Sequence, residues 1–437
     1  MRILFVTDDF SGASLCARLA QEGNDVRAHV GNPAHVQTLD GWINKVPTLE
    51  AGLDWVGKDG LIVCDDNGFG PLQDRLRTDG FSVVGGSAGG DLLEDDREHA
   101  QEIFAAHGLK TIPTHTFDSA AKAADFVAAT RCEWVVKRNG HADKTSCYVG
   151  RLPDGRDVLD LLRNAAHRDG GRLTNYVLQK RVNGVEIGVA RYFNGTEWVG
   201  PIELNVEHKK LFPGDLGPKT AEMGTLLWYN DDESNRLFQE TLALLEPHLR
   251  DIGFRGDIDI NCIVNEDGAW PLEATTRFGY PAVHAQMAVH ETPWGDFLSA
   301  VSNGHPVDLA WRKGYAVVVL IAVPPFPYCN NGCDCAIDPT GLTIHFREPP
   351  RPEDWPHLHF EGVRKALAPD KAEHHVICDH TGYVMHVTGH GDTVDAARTA
   401  TLRRIDNIVI PRMYYRRDIG VDFASRYAHS LRLQGWL

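Results

Sequence analysis

Long apolar runs are missing. No stretch of about 18 uncharged apolar residues occurs in the 437-residue chain, which excludes a membrane-spanning helix. Positive charge is scarce as well: 44 Lys and Arg against 60 Asp and Glu leave a net charge of −16. That balance is a poor one for gripping nucleic acid through its phosphates. There is no internal repeat and no low-complexity segment. A secretory signal is lacking too, because Met1-Arg-Ile-Leu-Phe-Val-Thr-Asp-Asp9 turns acidic early and reads as a first β-strand. Nine cysteines without such a signal fit reduced thiols in a cytoplasm. What is there, 43% hydrophobic and 24% charged residues, describes an acidic globular protein, and the length predicts two to four domains and an enzyme.

The first ninety residues alternate short apolar runs with helical stretches. Strands are predicted at Ile3–Val6, Val26–Val30, Leu61–Cys64 and Phe81–Val84, with helices at 13–22 and 72–78. This order implies a parallel sheet covered on both faces, with ligands at the carboxyl ends of its strands, so Thr7–Ser14 and Asp65–Pro71 are the loops of interest. Neither carries the glycine spacing of a dinucleotide fingerprint. From Glu94 the texture changes: a helix runs through Phe104, and strands follow at Trp134–Lys137, Cys147–Gly150 and Tyr176–Lys180, with β character through Ile202. Asp-Gly at 267–268 predicts a hairpin between Gly256–Val264 and Ala269–Ala274. The tail reads as mixed, with a strand at Tyr315–Val323 and a helix at Thr393–Ile408.

Three separated features fit one task, holding a nucleoside triphosphate and a divalent metal between two β-rich lobes. Lys137 ends a strand and precedes a polar, glycine-containing loop, 138–146, a pairing suited to phosphate. The strand edge through Gln179, Lys180 and Val182 offers backbone groups to a base, and Glu186 a carboxylate to ribose. On the hairpin, residues spaced by two share a face, so Asp259 or Asn261 lies beside Glu273 and Thr275. Oxygen ligands of this kind suit magnesium. Arg277 follows them, placed to neutralise a transferring phosphoryl group.

Taken in order, these elements resemble the ATP-grasp fold and, within it, the glycinamide ribonucleotide synthetase (phosphoribosylamine–glycine ligase) family. The resemblance rests on Leu93-Glu-Asp-Asp-Arg97 with Ile112-Pro-Thr114, on His208-Lys209 with Gly214-Asp-Leu-Gly-Pro-Lys-Thr-Ala-Glu-Met-Gly224, and on Leu272-Glu-Ala-Thr-Thr-Arg-Phe-Gly279. Near the end it rests on Gly391-Asp-Thr393 and Tyr414-Tyr-Arg-Arg-Asp-Ile-Gly420. It implies an α/β and α+β multidomain protein: an N-terminal parallel α/β domain over 1–95, a two-lobed ATP-grasp domain over 96–310 with a lid subdomain at about 115–180, and a C-terminal mixed α/β domain over 311–437. It also implies an ATP-dependent carboxylate–amine ligase working through an acyl phosphate. The resemblance places Arg97, Lys137 and Lys144 on phosphates, Glu186 on ribose, and Glu273 with Asp259 or Asn261 and Thr275 on magnesium, manganese being the alternative ion. Arg277 would stabilise the acyl phosphate, and Lys209, Asp215 and His208 would line the carboxylate and amine sites, with Lys219, Thr220 and Tyr280 nearby.

The departures lie on the amine side. The family's Gly-rich first loop is Asp8-Asp9-Phe10-Ser11-Gly12 here, which puts Asp9, Ser11 and Gly12 where a sugar phosphate is received. The substrate loop carries Lys219, Ala221 and Glu222 in place of Asn, Gly and Gly, and the family's second metal-strand Asn is Thr275. A ligase with retained chemistry and changed substrates is the expectation, with small-molecule carboxylate and amine partners, glycine or another amino acid as the acid, and a nucleotide-linked amine among the options. A catalytically silent nucleotide-binding homologue is the competing class. Monomer and homodimer both fit. Cys329, Cys333 and Cys335, followed by His357, His359, His374 and His375, do not have paired-thiolate zinc spacing, and a structural role is expected for them.

Overall fold

The computed structural model describes residues 1–138, 147–169, 175–328, 337–367 and 373–437. The N-terminal part is a five-stranded parallel sheet in the order Asn44–Lys45, Asp25–Val30, Arg2–Thr7, Leu61–Cys64, Ser82–Val84. Its two central strands read as unbroken apolar runs because both faces are covered. Ile3, Phe5, Leu61 and Val63 pack with Leu15 and Leu19 of the helix Ala13–Gln21, while Leu4, Val6, Ile62 and Cys64 pack with Val56 and Leu76 on the other face. Strand order reverses between Arg2–Thr7 and Leu61–Cys64, so the loops after them open together at the switch point, where ligands of such sheets bind.

A second unit is a four-stranded antiparallel sheet in the order Thr114–Phe117, Tyr176–Lys180, Trp134–Arg138, Tyr148–Val149. The helices Ala120–Thr130 and Arg156–Asp169 share its core through Ala120, Ala123, Ala124 and Val127 and through Val158 and Leu162. The helix predicted from Glu94 through Phe104 is two helices, Ala88–Asp95 and Arg97–Ala106. Asp96 is extended between them (φ −108°, ψ 99°), and its carboxylate accepts from the amides of Glu98 and His99, so a cap has replaced a helical turn.

The third unit is an eight-stranded antiparallel sheet. Its order is Gly268–Thr275, Gly256–Asn265, Val185–Phe193, Trp198–Glu207, Gly224–Asn230, Tyr315–Ala322, Tyr383–Gly391, Leu358–Phe360. The chain boundary expected at 310 therefore divides the sequence but not the sheet: Tyr315–Ala322 hydrogen-bonds directly to Gly224–Asn230. A small sheet of Val363–Leu367, Glu373–Ile377, Thr343–Phe346 and Ile408–Val409 completes the tail. Among the described residues, no helix is long and apolar enough to cross a membrane.

Candidate functional site

The three sheets converge on one cleft of about 980 Å³. Lys137, on the strand Trp134–Arg138, lines it from the small antiparallel sheet. Burial pushes the Lys137 ammonium down to about 8, with Glu273 pulling the other way. Gln179 and Lys180 end the neighbouring strand, where the Lys180 amide is committed to Pro113 O and the Arg181 amide to Glu133 O. Val182 follows beyond the strand end and lines the cleft, as does Glu186 at the start of Val185–Phe193. Lys144 and the loop 139–146 lie outside the described residues.

The hairpin supplies the opposite wall. Its register sets Asn261 across from Glu273 and Asp259 across from Thr275, with a bulge just after Asn261. Glu273 receives Lys209 Nζ at 2.9 Å and Arg97 Nη2 at 3.4 Å. Lys209 holds this carboxylate well below the usual range against its burial, and Lys137 and Arg97 add to the effect. Burial pulls the Lys209 pKa down, but Glu207, Glu273 and Glu186 outweigh it and hold the ammonium well above its ordinary value. Asn261 donates its amide to Glu186 (2.9 Å) and to Glu207 (2.8 Å), while its Oδ1 is buried without a protein partner. Asp259 accepts from Asn205 at 2.6 Å, and burial next to Glu207 raises its pKa well above the ordinary carboxylate value.

A donor set of Glu273, Thr275, Asp259 and the orphaned oxygen of Asn261 is all oxygen, which fits a hard divalent cation such as magnesium. Lys209 bridges Glu207 and Glu273 at 2.7 and 2.9 Å, so an ammonium already shares the charge of these carboxylates. Glu207 is the functional candidate that the sequence pattern does not single out. Its only signal is the alternation Glu203, Asn205, Glu207, which acquires meaning once Trp198–Glu207 lies two strands from the hairpin.

At the far end, the loops from the parallel sheet face the tail. Asp9 accepts from the Ser11 amide and hydroxyl at 2.8 and 2.7 Å, and both residues line the cleft. Gly12 does not reach it. The Gly12 amide donates to the buried Asp65 at 2.9 Å, and an added Cβ would meet Tyr280 Oη at 2.7 Å and Asp65 Cβ at 2.8 Å. Tyr280 donates to Asp65 O at 2.9 Å, and the Arg277 guanidinium lies 5.6 Å from its ring. Arg277 is held by Glu94 at 3.2 Å and Asp66 at 3.3 Å, which keep it protonated despite burial.

On the third wall, Lys219 lines the cleft and Thr220 is tied to Lys209 O through its amide and hydroxyl. His208 is buried, accepts from the Gly420 amide at 3.1 Å, and is kept neutral by burial and by Arg416. Arg416, buried in the Tyr414–Gly420 motif, clamps Asp215 at 2.9 Å and Asp418 at 2.7 Å. Arg416 thus ties the tail to the loop that carries Lys219 and Thr220. Of the tail histidines, His375 stacks on Trp42 and Phe360, whereas His357 and His359 share Thr388. Cys329, Cys333 and Cys335 lie outside the described residues.

The chain is similar to known proteins over most of its length. Residues 95–283 match the family model of the phosphoribosylglycinamide synthetase ATP-grasp (A) domain. A phosphoribosylamine–glycine ligase of Streptomyces coelicolor is 25% identical over 445 residues, covering 97% of this chain and 100% of its own. One from Corynebacterium ammoniagenes is 25% identical over 368 residues, covering 80% and 79%. Among solved structures, a phosphoribosylamine–glycine ligase from Thermotoga maritima superposes with TM-score 0.71 at 20% identity, over 96% of this chain and 100% of its own. A biotin carboxylase from Campylobacter jejuni gives 0.63 at 12% identity, over 98% and 96%.

Proposed function

Because the chain is a glycinamide ribonucleotide synthetase-like member of the ATP-grasp superfamily, we propose that its cleft activates a small carboxylic acid with ATP and joins it to an amine. The chain is an ATP-dependent ligase forming C–N bonds. One observation carries the reading of its site: Glu273 faces Lys137, Arg97 and Lys209 in a single cleft rimmed by the strand end at Gln179–Val182.

In this reading the base lies against the segment Lys180–Val182 and the ribose against Glu186. Lys137 and Arg97 receive phosphates. Glu273, Asn261, Thr275 and Asp259 would hold magnesium, with manganese as the alternative, and that ion would offset charge between phosphate oxygens. The acid's carboxylate oxygen attacks the terminal phosphorus, ADP leaves, and the amine nitrogen then attacks the acyl carbon, loses a proton and expels phosphate. Positioning and charge neutralisation supply the acceleration. Arg277, anchored by Glu94 and Asp66, faces the charge of the acyl phosphate, while Arg416 fixes Asp215 and with it the loop carrying Lys219 and Thr220.

A second reading concerns the amine. Asp9, Asp66, Glu94, Asp379 and Glu361 all line the end reached by the first loop. Even with Arg277 shared between Asp66 and Glu94 and His35 paired with Asp379, carboxyl groups outnumber cations there, which disfavours a phosphorylated amine and suits a neutral or cationic one. The test is ADP release with glycine and other amino acids as acids, comparing phosphoribosylamine with amines that bear no phosphate. Turnover only with phosphoribosylamine would remove the second reading, and no ADP with any acid–amine pair would remove both.

A further inference from the structure

Among the described residues, one group outside the nucleotide site has the composition of a metal centre. His284, Glu361 and His386 are buried, and one potential ligand atom from each lies within 4.8 Å of the others. His284 Nε2 is 2.8 Å from Glu361 Oε1, and His386 Nδ1 is 3.2 Å from the same oxygen. The three come from the helix Ala282–Val289, the turn after Leu358–Phe360 and the strand Tyr383–Gly391, separated by 77 and 25 residues. No local spacing could announce them.

We propose that His284, Glu361 and His386 bind a divalent transition-metal ion of the zinc class, at a site separate from the oxygen-lined hairpin. Two imidazoles and one carboxylate are a donor set that zinc and its neighbours accept and that magnesium does not favour. The ring nitrogen of His386 that faces away from Glu361 is 3.2 Å from Tyr383 Oη, an outer partner that orients the ring as such groups do for a ligating histidine. His359 stacks on His284 at 4.8 Å and 17°, holding its plane.

Glu361, Tyr383 and His386 line the cleft while His284 stands behind them, so the ion's remaining positions face the substrate end and would take water or an oxygen or nitrogen of the molecule bound there.

The full chain, stripped with a chelator and titrated with Co2+ in the absence of nucleotide, provides the test, because tetrahedral or five-coordinate cobalt is read by its visible absorption. One equivalent is expected per chain, displaced by Zn2+. Glu361→Gln and His386→Ala should each weaken it by more than about ten-fold and Tyr383→Phe by about ten-fold. All three should keep the thermal shift given by MgATP, which reports an intact fold. The proposal is overturned by a wild-type chain that takes up no stoichiometric Co2+ or Zn2+. It is equally overturned by variants whose cobalt spectrum matches wild type, or by a spectrum lost in Cys329→Ser/Cys333→Ser/Cys335→Ser and retained in the triad variants.

Discussion

A lysine whose pKa burial has pushed down to about 8 changes charge within the range where enzymes are assayed. If Lys137 meets phosphate as a cation, the apparent KM for ATP should rise by roughly five- to ten-fold between pH 7.5 and 9, and Lys137→Ala should abolish that dependence while raising KM at pH 7.5. An unchanged profile in the variant removes Lys137 from the site. Stability gives the complementary sign. The unfolded chain binds the proton up to about 10.4 and the folded chain only to about 8, so the penalty is fully present below pH 8 and fades as pH rises through that window. Lys137→Met should therefore stabilise the chain at pH 7 by on the order of 1–3 kcal/mol, read as a higher melting temperature, and give no gain near pH 10.5. Glu273→Gln removes the one carboxylate that Lys209, Arg97 and Lys137 share. Magnesium-dependent ADP formation should fall by more than about a hundred-fold with the circular dichroism unchanged, and full activity would remove the metal assignment. These two residues are legible in the sequence because charge stands at the end of an apolar strand or alternates along one. The sequence does not tell Asp259 from Asn261, since both share a face, and the register across the hairpin pairs Asn261 with Glu273 and Asp259 with Thr275.

At the level of elements, the loop Asp8–Gly12 depends on contacts that no local pattern announces. Gly12 sits at an ordinary negative φ, so its glycine is required by space and not by backbone conformation. Gly12→Ala drives a methyl into Tyr280, Asp65 and Phe5. It should destabilise the chain by about 1–3 kcal/mol in denaturant titration and disturb the substrate end before ATP binding. A neutral effect would show that the loop yields easily. Most strands of the parallel sheet and of the small antiparallel sheet, and the hairpin, follow from period-two or unbroken apolar runs with turn residues between them, Asn44–Lys45 and Thr114–Phe117 being the exceptions. The break at Asp96 does not, because an aspartate within a helical pattern is equally a surface residue until its carboxylate is seen on the Glu98 and His99 amides.

For the whole molecule, the eight-stranded sheet is the feature that sequence could not supply. Pairing Tyr315–Ala322 with Gly224–Asn230, and Tyr383–Gly391 beyond it, joins segments far apart in the chain, and nothing in either strand names its neighbour. Glu207 and the His284–Glu361–His386 group are hidden for the same reason: they are assembled by that sheet and its flanking helix. A chain cut after residue 310 would leave Gly224–Asn230 as a bare edge over an uncovered core. It should aggregate or show no cooperative unfolding, whereas a soluble, cooperatively melting 1–310 fragment would mean that the tail is dispensable to the fold. The central claim, that the cleft energises an acid through its own oxygen, is tested most directly with an 18O-labelled carboxylate and the acid–amine pair that elicits ADP release. The account predicts one labelled oxygen in each phosphate formed; unlabelled phosphate, or AMP and pyrophosphate in place of ADP, would contradict it.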